Sequence, residues 1–595
     1  MSLSRRHWLA ITTGASATTF VPQAWAQTPA ATAAAFDNWC DAFAADWVRE
    51  SPEWATSTQF FSSAEQAALD RQLGALTPAR RQQIRALAQR GLRELAAFDA
   101  KALSDSQRVG AATLRWSLQS QLDAAPFEDH NFVFNQRWGP HLRYNEFLSE
   151  SHPLRVPADV DSYLARLSQV GSRLDEAIAR SRSAQERGLL PPRFILERVR
   201  GQVQSFLSRA PADTDFVSAL ARRGARIESL APERRQQALD EATRGVTEQI
   251  RPAYQRLLAM LDELHPRTTA DAGLWRLPDG AAAYAQALAA NTTTSMSADE
   301  IHRIGLQQVA DIEATMDRLL KTLGKSEGTV QVRMQALRAE LQPPAEPDPR
   351  PMILARYTAA IRDAERRAQS LFNLQPTAPV EVRRVPALTE ASASAYYTTP
   401  APDGSRPGVF WMPLPGPSFD MLRIRALAVH EAVPGHHFQL ALQQEARELP
   451  RWRQRRIFGG GSAHSEGWAL YAERLAIDNG WYEGDTHSLL GAWDAQLFRA
   501  RRLVVDTGLH ARRWTREQAI QYGISASEVE RYVSNPGQAC AYMVGMLHLL
   551  ALREQAQKSL GSRFDAKAFH DQVLKTGSVP LDVLSGVVQR WAVAA

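Results

Sequence analysis

Between residues 430 and 437 the chain reads His-Glu-Ala-Val-Pro-Gly-His-His, three imidazoles and a carboxylate within eight residues. Neutral imidazoles bind zinc, and a carboxylate beside them can take a proton from an activated water. The spacing departs from His-Glu-x-x-His, in which the two histidines stand four apart on one helical face. Here Pro434 intervenes, and the next histidines come six and seven residues after the first. On an unbroken helix the seventh residue shares the face but lies ~10 Å away along the axis. Two bonds of ~2 Å to one metal cannot span that gap. Pro434 removes a backbone donor and crowds the preceding turn, and Gly435 loosens the chain. A kink there swings His436 toward His430. His430 and His436 are therefore the expected ligands, with His437 as the alternative or as a supporting residue, and Glu431 is the expected general base.

A catalytic zinc needs a third protein ligand and an open position. The segment Ser462-Ala463-His464-Ser465-Glu466-Gly467-Trp468-Ala469-Leu470-Tyr471-Ala472-Glu473 follows a triple glycine, which predicts a helix from about Ser462. Glu466 and Glu473 project from one face of it among apolar neighbours. One can bind metal while the other orients a ligand imidazole. Further on, Arg502, Asp506 and His510 recur every four residues and line one face of a helix whose intervening residues are apolar. Asp506 is a candidate supporting or alternative ligand, and His510 or Arg502 could hold an oxyanion or a substrate carboxylate. Asn535 and Pro536 read as the cap and first residue of another helix, with Tyr542 one and a half turns in. Arg451, Arg453, Arg455 and Arg456 read as a solvated loop without a role. Arg406 to Trp411 reads as an edge strand on which a peptide could pair.

Most of the chain that must position these groups reads helical. Thr77-Pro78 opens a helix through about Ala100. Ser297 and Glu300 form a capping box ahead of an apolar stripe, Ile301, Ile304, Val309, Ile312, Met316 and Leu319. Segments around 160–185 and 215–262 pattern alike. Gln342 to Pro351 is a proline-rich loop. Only about Val380 to Pro415 looks extended, with β-prone runs around the turn Asp403-Gly404-Ser405. The expectation is a mainly α, two-lobed helical fold with a small β-sheet beside the metal helix.

At 595 residues, with 44% apolar and 22% charged residues and a formal charge of +5, the composition is that of a globular protein. The charge gives no reason to invoke nucleic acid or an anionic membrane. Ser4-Arg5-Arg6 begins a twin-arginine pattern, and Ala24-Trp25-Ala26 forms a cleavage site. The expected leader spans 1–26, and residues 27–595 are expected to be one helical domain with its metal site in 420–545. Export would use the twin-arginine machinery, placing the mature chain in the periplasm or outside the cell. No other run reaches the ~20 apolar residues of a membrane span. Cys40 and Cys540, the two cysteines, are too few for a thiolate metal site. They could pair in an oxidising compartment or stay as buried small residues.

His-Glu-x-x-Pro-Gly-His followed by Glu-Gly-Trp-Ala-x-Tyr-x-Glu resembles a bacterial family known as domain of unknown function 885. Its members are regarded as zinc metallopeptidases similar to the gluzincins, with a mostly helical fold. Arg499 to His510 and Asn535 to Gly545 match further family stretches, and the resemblance is strongest from about 380 onward. The resemblance implies Zn2+ as cofactor, favours His436 over His437, and makes Glu466 the third ligand. A tyrosine donating to the oxyanion recurs in similar metallopeptidases, which gives Tyr542 that role. The expected function is an exported zinc-dependent hydrolase of amide bonds, a peptidase acting on short peptides. The alternatives are a metal-dependent hydrolase of other amides or esters, and a non-catalytic periplasmic binding protein.

Overall fold

The structure is a computed structural model that describes residues 33–385, 390, 393–401, 404 and 406–594. The leader expected over 1–26, with Asp403 and Ser405 of the predicted turn, lies outside the described residues. The fold is mainly α, with one small sheet. Among its helices, in order, are α1 (Ala33–Arg49), α2 (Pro78–Leu95), α3 (Asp105–Ala124), α4 (Pro157–Glu186), α5 (Arg193–Ser208), α6 (Pro232–Gly245) and α7 (Arg251–Leu264). There follow α8 (Gly280–Thr292), α9 (Ala298–Thr322) and α10 (Arg350–Ala368). Past the sheet come α11 (Ile424–Glu431), α12 (His436–Glu445), α13 (Gly461–Asp478) and α14 (Thr486–Ala511). The chain closes with α15 (Ala526–Ser534), α16 (Gln538–Leu560), α17 (Ala566–Thr576) and α18 (Leu581–Ala594).

Local chemistry sets the helix starts. Thr77 accepts from the Arg80 amide with Pro78 in the first turn, though α2 stops at Leu95, short of Ala100. Ser297 and Glu300 close the predicted capping box of α9. Its buried stripe is Ile301, Val309, Ile312, Met316 and Leu320, while Ile304 and Leu319 pack partly buried at its margin. Each fully buried side chain of this kind contributes roughly 1.5–3 kcal/mol. The proline-rich loop ends where α10 begins at Arg350.

Buried apolar residues fall into two large clusters. One is built from residues between Leu73 and Leu264, on α4, α5 and α7. The other collects α9, α10 and every long helix after the sheet. A smaller cluster joins α1–α3 to Trp452, Ile457 and Phe458. The helix α14 is buried almost all round from Leu490 to His510, as a helix at the centre of a large core must be.

The sheet has strands β1 (Val380–Arg384), β2 (Tyr396–Thr398) and β3 (Gly408–Met412), in the order β1-β3-β2. β1 runs parallel to β3 with Val382 opposite Phe410, and β2 runs antiparallel with Tyr397 opposite Phe410. The segment expected as an edge strand is thus the central one, because β1 and β2 occupy both its flanks. Its backbone has no free side for a peptide. Among the described residues no helix is long and apolar enough to cross a membrane. Cys40 and Cys540 are both free and buried.

Candidate metal centre

The helix α11 ends at Glu431 and α12 begins at His436, with Ala432–Gly435 between them. The break predicted at Pro434-Gly435 is a complete interruption of the helix. Two contacts fix it. A Cβ on Gly435 would lie 1.9 Å from the His430 carbonyl oxygen, so only glycine lets the chain fold back on the preceding turn. Trp468 of α13 donates its indole N–H to the Pro434 carbonyl at 2.7 Å. The outcome brings the His430 and His436 rings to 4.9 Å, inclined at 82°.

Glu466 on α13 completes the group. Its Oε2 lies 3.3 Å from His436 Nε2 and 3.8 Å from His430 Nε2. One ligand atom from each of the three residues falls within 4.8 Å of the others. Bonds of ~2.0–2.2 Å to a tetrahedral zinc place ligand atoms at comparable separations. Glu466 Oε2 is buried without a hydrogen-bond donor. A carboxylate oxygen in that position asks for a cation, so the residues fit a zinc ion. Glu473, two turns on along α13, accepts from His430 Nδ1 at 2.7 Å, which turns Nε2 toward Glu466. Arg499 of α14 sits 3.5 Å behind Glu473.

The electrostatics of the side chains alone follow from burial and charge. Burial raises the Glu431 carboxyl to about 7, against the pull of His436. Burial likewise lifts Glu473 to about 7, with Arg499 opposing. Glu466 falls to about 2, because His436 and His430 outweigh its burial. Burial, helped by Arg499 and His436, holds His430 well below the ordinary imidazole value. A neutral His430 is the form that ligates metal. Glu473→Gln keeps an acceptor for the His430 Nδ1 proton but removes the charge and the partner of Arg499. Its zinc affinity should fall about 10–100-fold in chelator competition. Unchanged affinity would remove Glu473 from the site.

The remaining candidates divide. Tyr542, on α16, stacks 6.3 Å from the His430 ring, and the Arg502 guanidinium lies 4.5 Å over the Tyr542 ring. Arg502 also donates to the Tyr532 hydroxyl and to Glu528, both at 3.0 Å. These two residues border the centre. His437 turns the other way, its Nδ1 2.9 Å from the Tyr397 hydroxyl on β2. It therefore links α12 to the sheet and does not join His430 and Glu466. His510 is committed on both nitrogens, accepting from the Leu274 amide and bonding the Tyr532 carbonyl. It has no proton free for an oxyanion. Asp506 accepts from the Tyr284 hydroxyl at 2.7 Å and the Gly537 amide at 3.0 Å. Its role is to anchor the start of α16, and it neither supports nor replaces a ligand. The expected cap is displaced too. Asn535 ends α15, and Gly537, with φ of 77°, precedes α16. The arginine run is not a solvated loop either, since Arg453 is buried and bonds the Thr576 carbonyl.

Three residues that shape the centre or its surroundings escape sequence reasoning. Trp468 holds the Pro-Gly loop, Arg499 backs Glu473, and Tyr397 hydrogen-bonds His437 away from the centre. Trp468 stands inside the Glu-Gly-Trp string, but nothing in the string says what its indole bonds.

Fold and site together define a mainly helical protein with a partly buried His/His/Glu candidate metal centre. The chain belongs to the family described as bacterial protein of unknown function (DUF885), which matches residues 52–588. A solved structure of a protein described as a putative lipoprotein from Colwellia psychrerythraea is similar at 29% identity. It has a TM-score of 0.87, over 94% of this chain and 100% of that one. A second, described as a putative lipoprotein of unknown function from Shewanella oneidensis, shares the fold at 20% identity and a TM-score of 0.70. That likeness too covers 94% of this chain and 100% of the other. No curated protein matches the chain.

Proposed function

We propose that the chain is an exported zinc-dependent hydrolase of amide bonds, and that its substrates are short peptides. The observation that carries this reading is the convergence of His430, His436 and Glu466, with one Glu466 oxygen left buried and unpaired and Glu431 directly beside the first ligand. When bound by those residues, zinc supplies the Lewis acidity that makes water a nucleophile near neutral pH. Glu431, desolvated to about 7, takes a proton from the attacking water and returns it to the leaving amine nitrogen. Glu473 keeps the His430 proton on Nδ1. Tyr542, beside the His430 ring, offers its hydroxyl to the carbonyl oxygen as charge develops there. The twin-arginine pattern and the A-x-A site support export, and the description of the two structural relatives as putative lipoproteins accords with it.

The test is metal analysis combined with mass-spectrometric profiling of a short-peptide library. Purified protein should hold about one equivalent of zinc, and cleavage should vanish on chelation and return with zinc. Zinc below about a tenth of an equivalent, with no recovery on adding metal, would point to a non-catalytic binding protein. Cleavage confined to non-peptide amides or esters would keep the metal chemistry and discard the peptidase.

A further inference from the structure

Beyond the zinc ligands, the centre is bordered by an excess of positive charge that the proposed chemistry does not use. Arg502 is 6% exposed. Its Nε and Nη2 are bonded, but Nη1 is buried without a partner. Arg531 on α15 donates to Glu528 through Nε and Nη2 and to Gln538 through Nη1. Glu528 therefore serves two guanidiniums at once. A third arrives from the segment between α3 and α4. Arg137 stands in the loop before residue 140, beside Gln136, which donates to the Glu530 carbonyl and accepts from the Ser534 hydroxyl, both at 2.9 Å. Asn135 receives the Arg137 and Trp138 amides, which fixes the backbone. The Arg137 guanidinium lies 5.3 Å over the Trp138 ring and makes no ion pair among the described residues. Burial lowers its pKa, and the nearby charges of Arg531 and Arg502 add to the effect while Glu528 opposes it. Two guanidiniums, Arg502 and Arg531, thus share the Glu528 carboxylate, and Arg137 adds a third positive charge within electrostatic reach of both. Buried charge left uncompensated is costly, and a planar guanidinium with open donors matches a carboxylate.

We propose that Arg137 and Arg502, backed by Arg531, bind a carboxylate of the substrate, and that this is the free C-terminus of a peptide. The inference rests on the peptidase reading and gives it a direction: the site trims carboxyl ends. Arg502 is 4.5 Å from the Tyr542 ring, which is itself 6.3 Å from the His430 ring. At ~3.5 Å per extended residue, the carboxylate would sit about one to three residues beyond the scissile bond.

Calorimetry on the zinc-loaded Glu431→Gln protein tests it, using N-acetyl-tetra-alanine as free acid, as C-terminal amide, and as an amide whose last residue is glutamate. The free acid should bind at least about ten-fold more tightly than the plain amide, and Arg137→Gln should bring the acid down to the affinity of the amide. Equal affinities for acid and amide, or no binding of either, overturn the proposal. Preference for the glutamate amide without preference for the free acid overturns the C-terminal assignment and makes an acidic side chain the ligand. Failure of the two readings is distinguishable. If the acid binds selectively but the wild type hydrolyses neither peptide, the carboxylate site stands and the peptidase fails. If the wild type hydrolyses acid and amide with equal KM, the peptidase stands and the carboxylate site fails.

Discussion

Glu431→Gln should lower turnover of any peptide the wild type cleaves by about 10²–10⁴-fold, the usual contribution of a positioned proton carrier, while zinc stays at about one equivalent. The two carboxylates of the proposed metal site differ in kind. Glu466 points an unpaired oxygen at both imidazoles, so replacing it should empty the site. Glu431 is the last residue of α11, is nearly buried, and lies outside the trio of ligating atoms. Glutamine fills the same volume and keeps a carbonyl acceptor but cannot carry a proton away from water. Loss of rate with metal retained is therefore the signature of the proton role. Full activity in Glu431→Gln would sink the mechanism. Loss of zinc together with activity would instead make Glu431 a structural part of the metal site.

Gly545→Ala should cost about 3 kcal/mol or more, the upper end of what overpacking does to a core, and should weaken zinc binding at the same time. The helices α13 and α16 cross at Gly467 and Gly545. A Cβ at Gly545 would lie 2.0 Å from the Ala463 carbonyl oxygen and 2.8 Å from the Gly467 Cα. A Cβ at Gly467 would lie 2.5 Å from the Gly545 Cα. The obstacles are backbone atoms, so no rotamer change relieves them and the helices must separate. Glu466 precedes one glycine and Tyr542 lies three residues before the other, so separation pulls a ligand and the phenol away from the histidines. Gly201→Ala is the control. That residue lies within α5, and its added Cβ meets nothing within 4 Å, so alanine should stabilise by roughly 0.5–1 kcal/mol. Thermal unfolding and zinc occupancy measured on both variants check the prediction. Wild-type melting with full zinc in Gly545→Ala would show that the two helices do not cross so closely.

Much of the site was legible because its signals are short-range. Two histidines flanking a Pro-Gly pair cannot share a regular helix and a metal, so a break was forced by geometry, and the structure places it there. Glu466 and Glu473 two turns apart on one helix had to face one way, and they do, one toward the imidazole Nε2 atoms and one onto Nδ1. The errors share a cause. Arg502, Asp506 and His510 recur every four residues and so read as one functional face, yet only Arg502 borders the centre. Asp506 and His510 point to Tyr284, Gly537, Leu274 and Tyr532, partners hundreds of residues away or on other helices. An apolar context shows that a polar residue is buried and must be satisfied, but not by what. The strand Gly408–Met412 failed similarly, since a sequence shows strand propensity but not which neighbours flank the strand.

By itself the sequence determined the helical class, the caps at Thr77 and Ser297, the rupture between His430 and His436, and the identity of the groups that could bind a metal. These depend on residue type and on spacings of a few residues, where backbone geometry leaves few choices. The tertiary structure closed the choice that the sequence left between His436 and His437, because Trp468 and Gly435 set how the chain re-enters the helix. It alone converted Asp506 and His510 into structural bonds, and it alone brought Arg137, on the segment between α3 and α4, within electrostatic reach of Arg502 and Arg531. Those outcomes depend on where helices cross, and the crossings are set by backbone contacts such as Gly467 on Gly545, which carry no local signature.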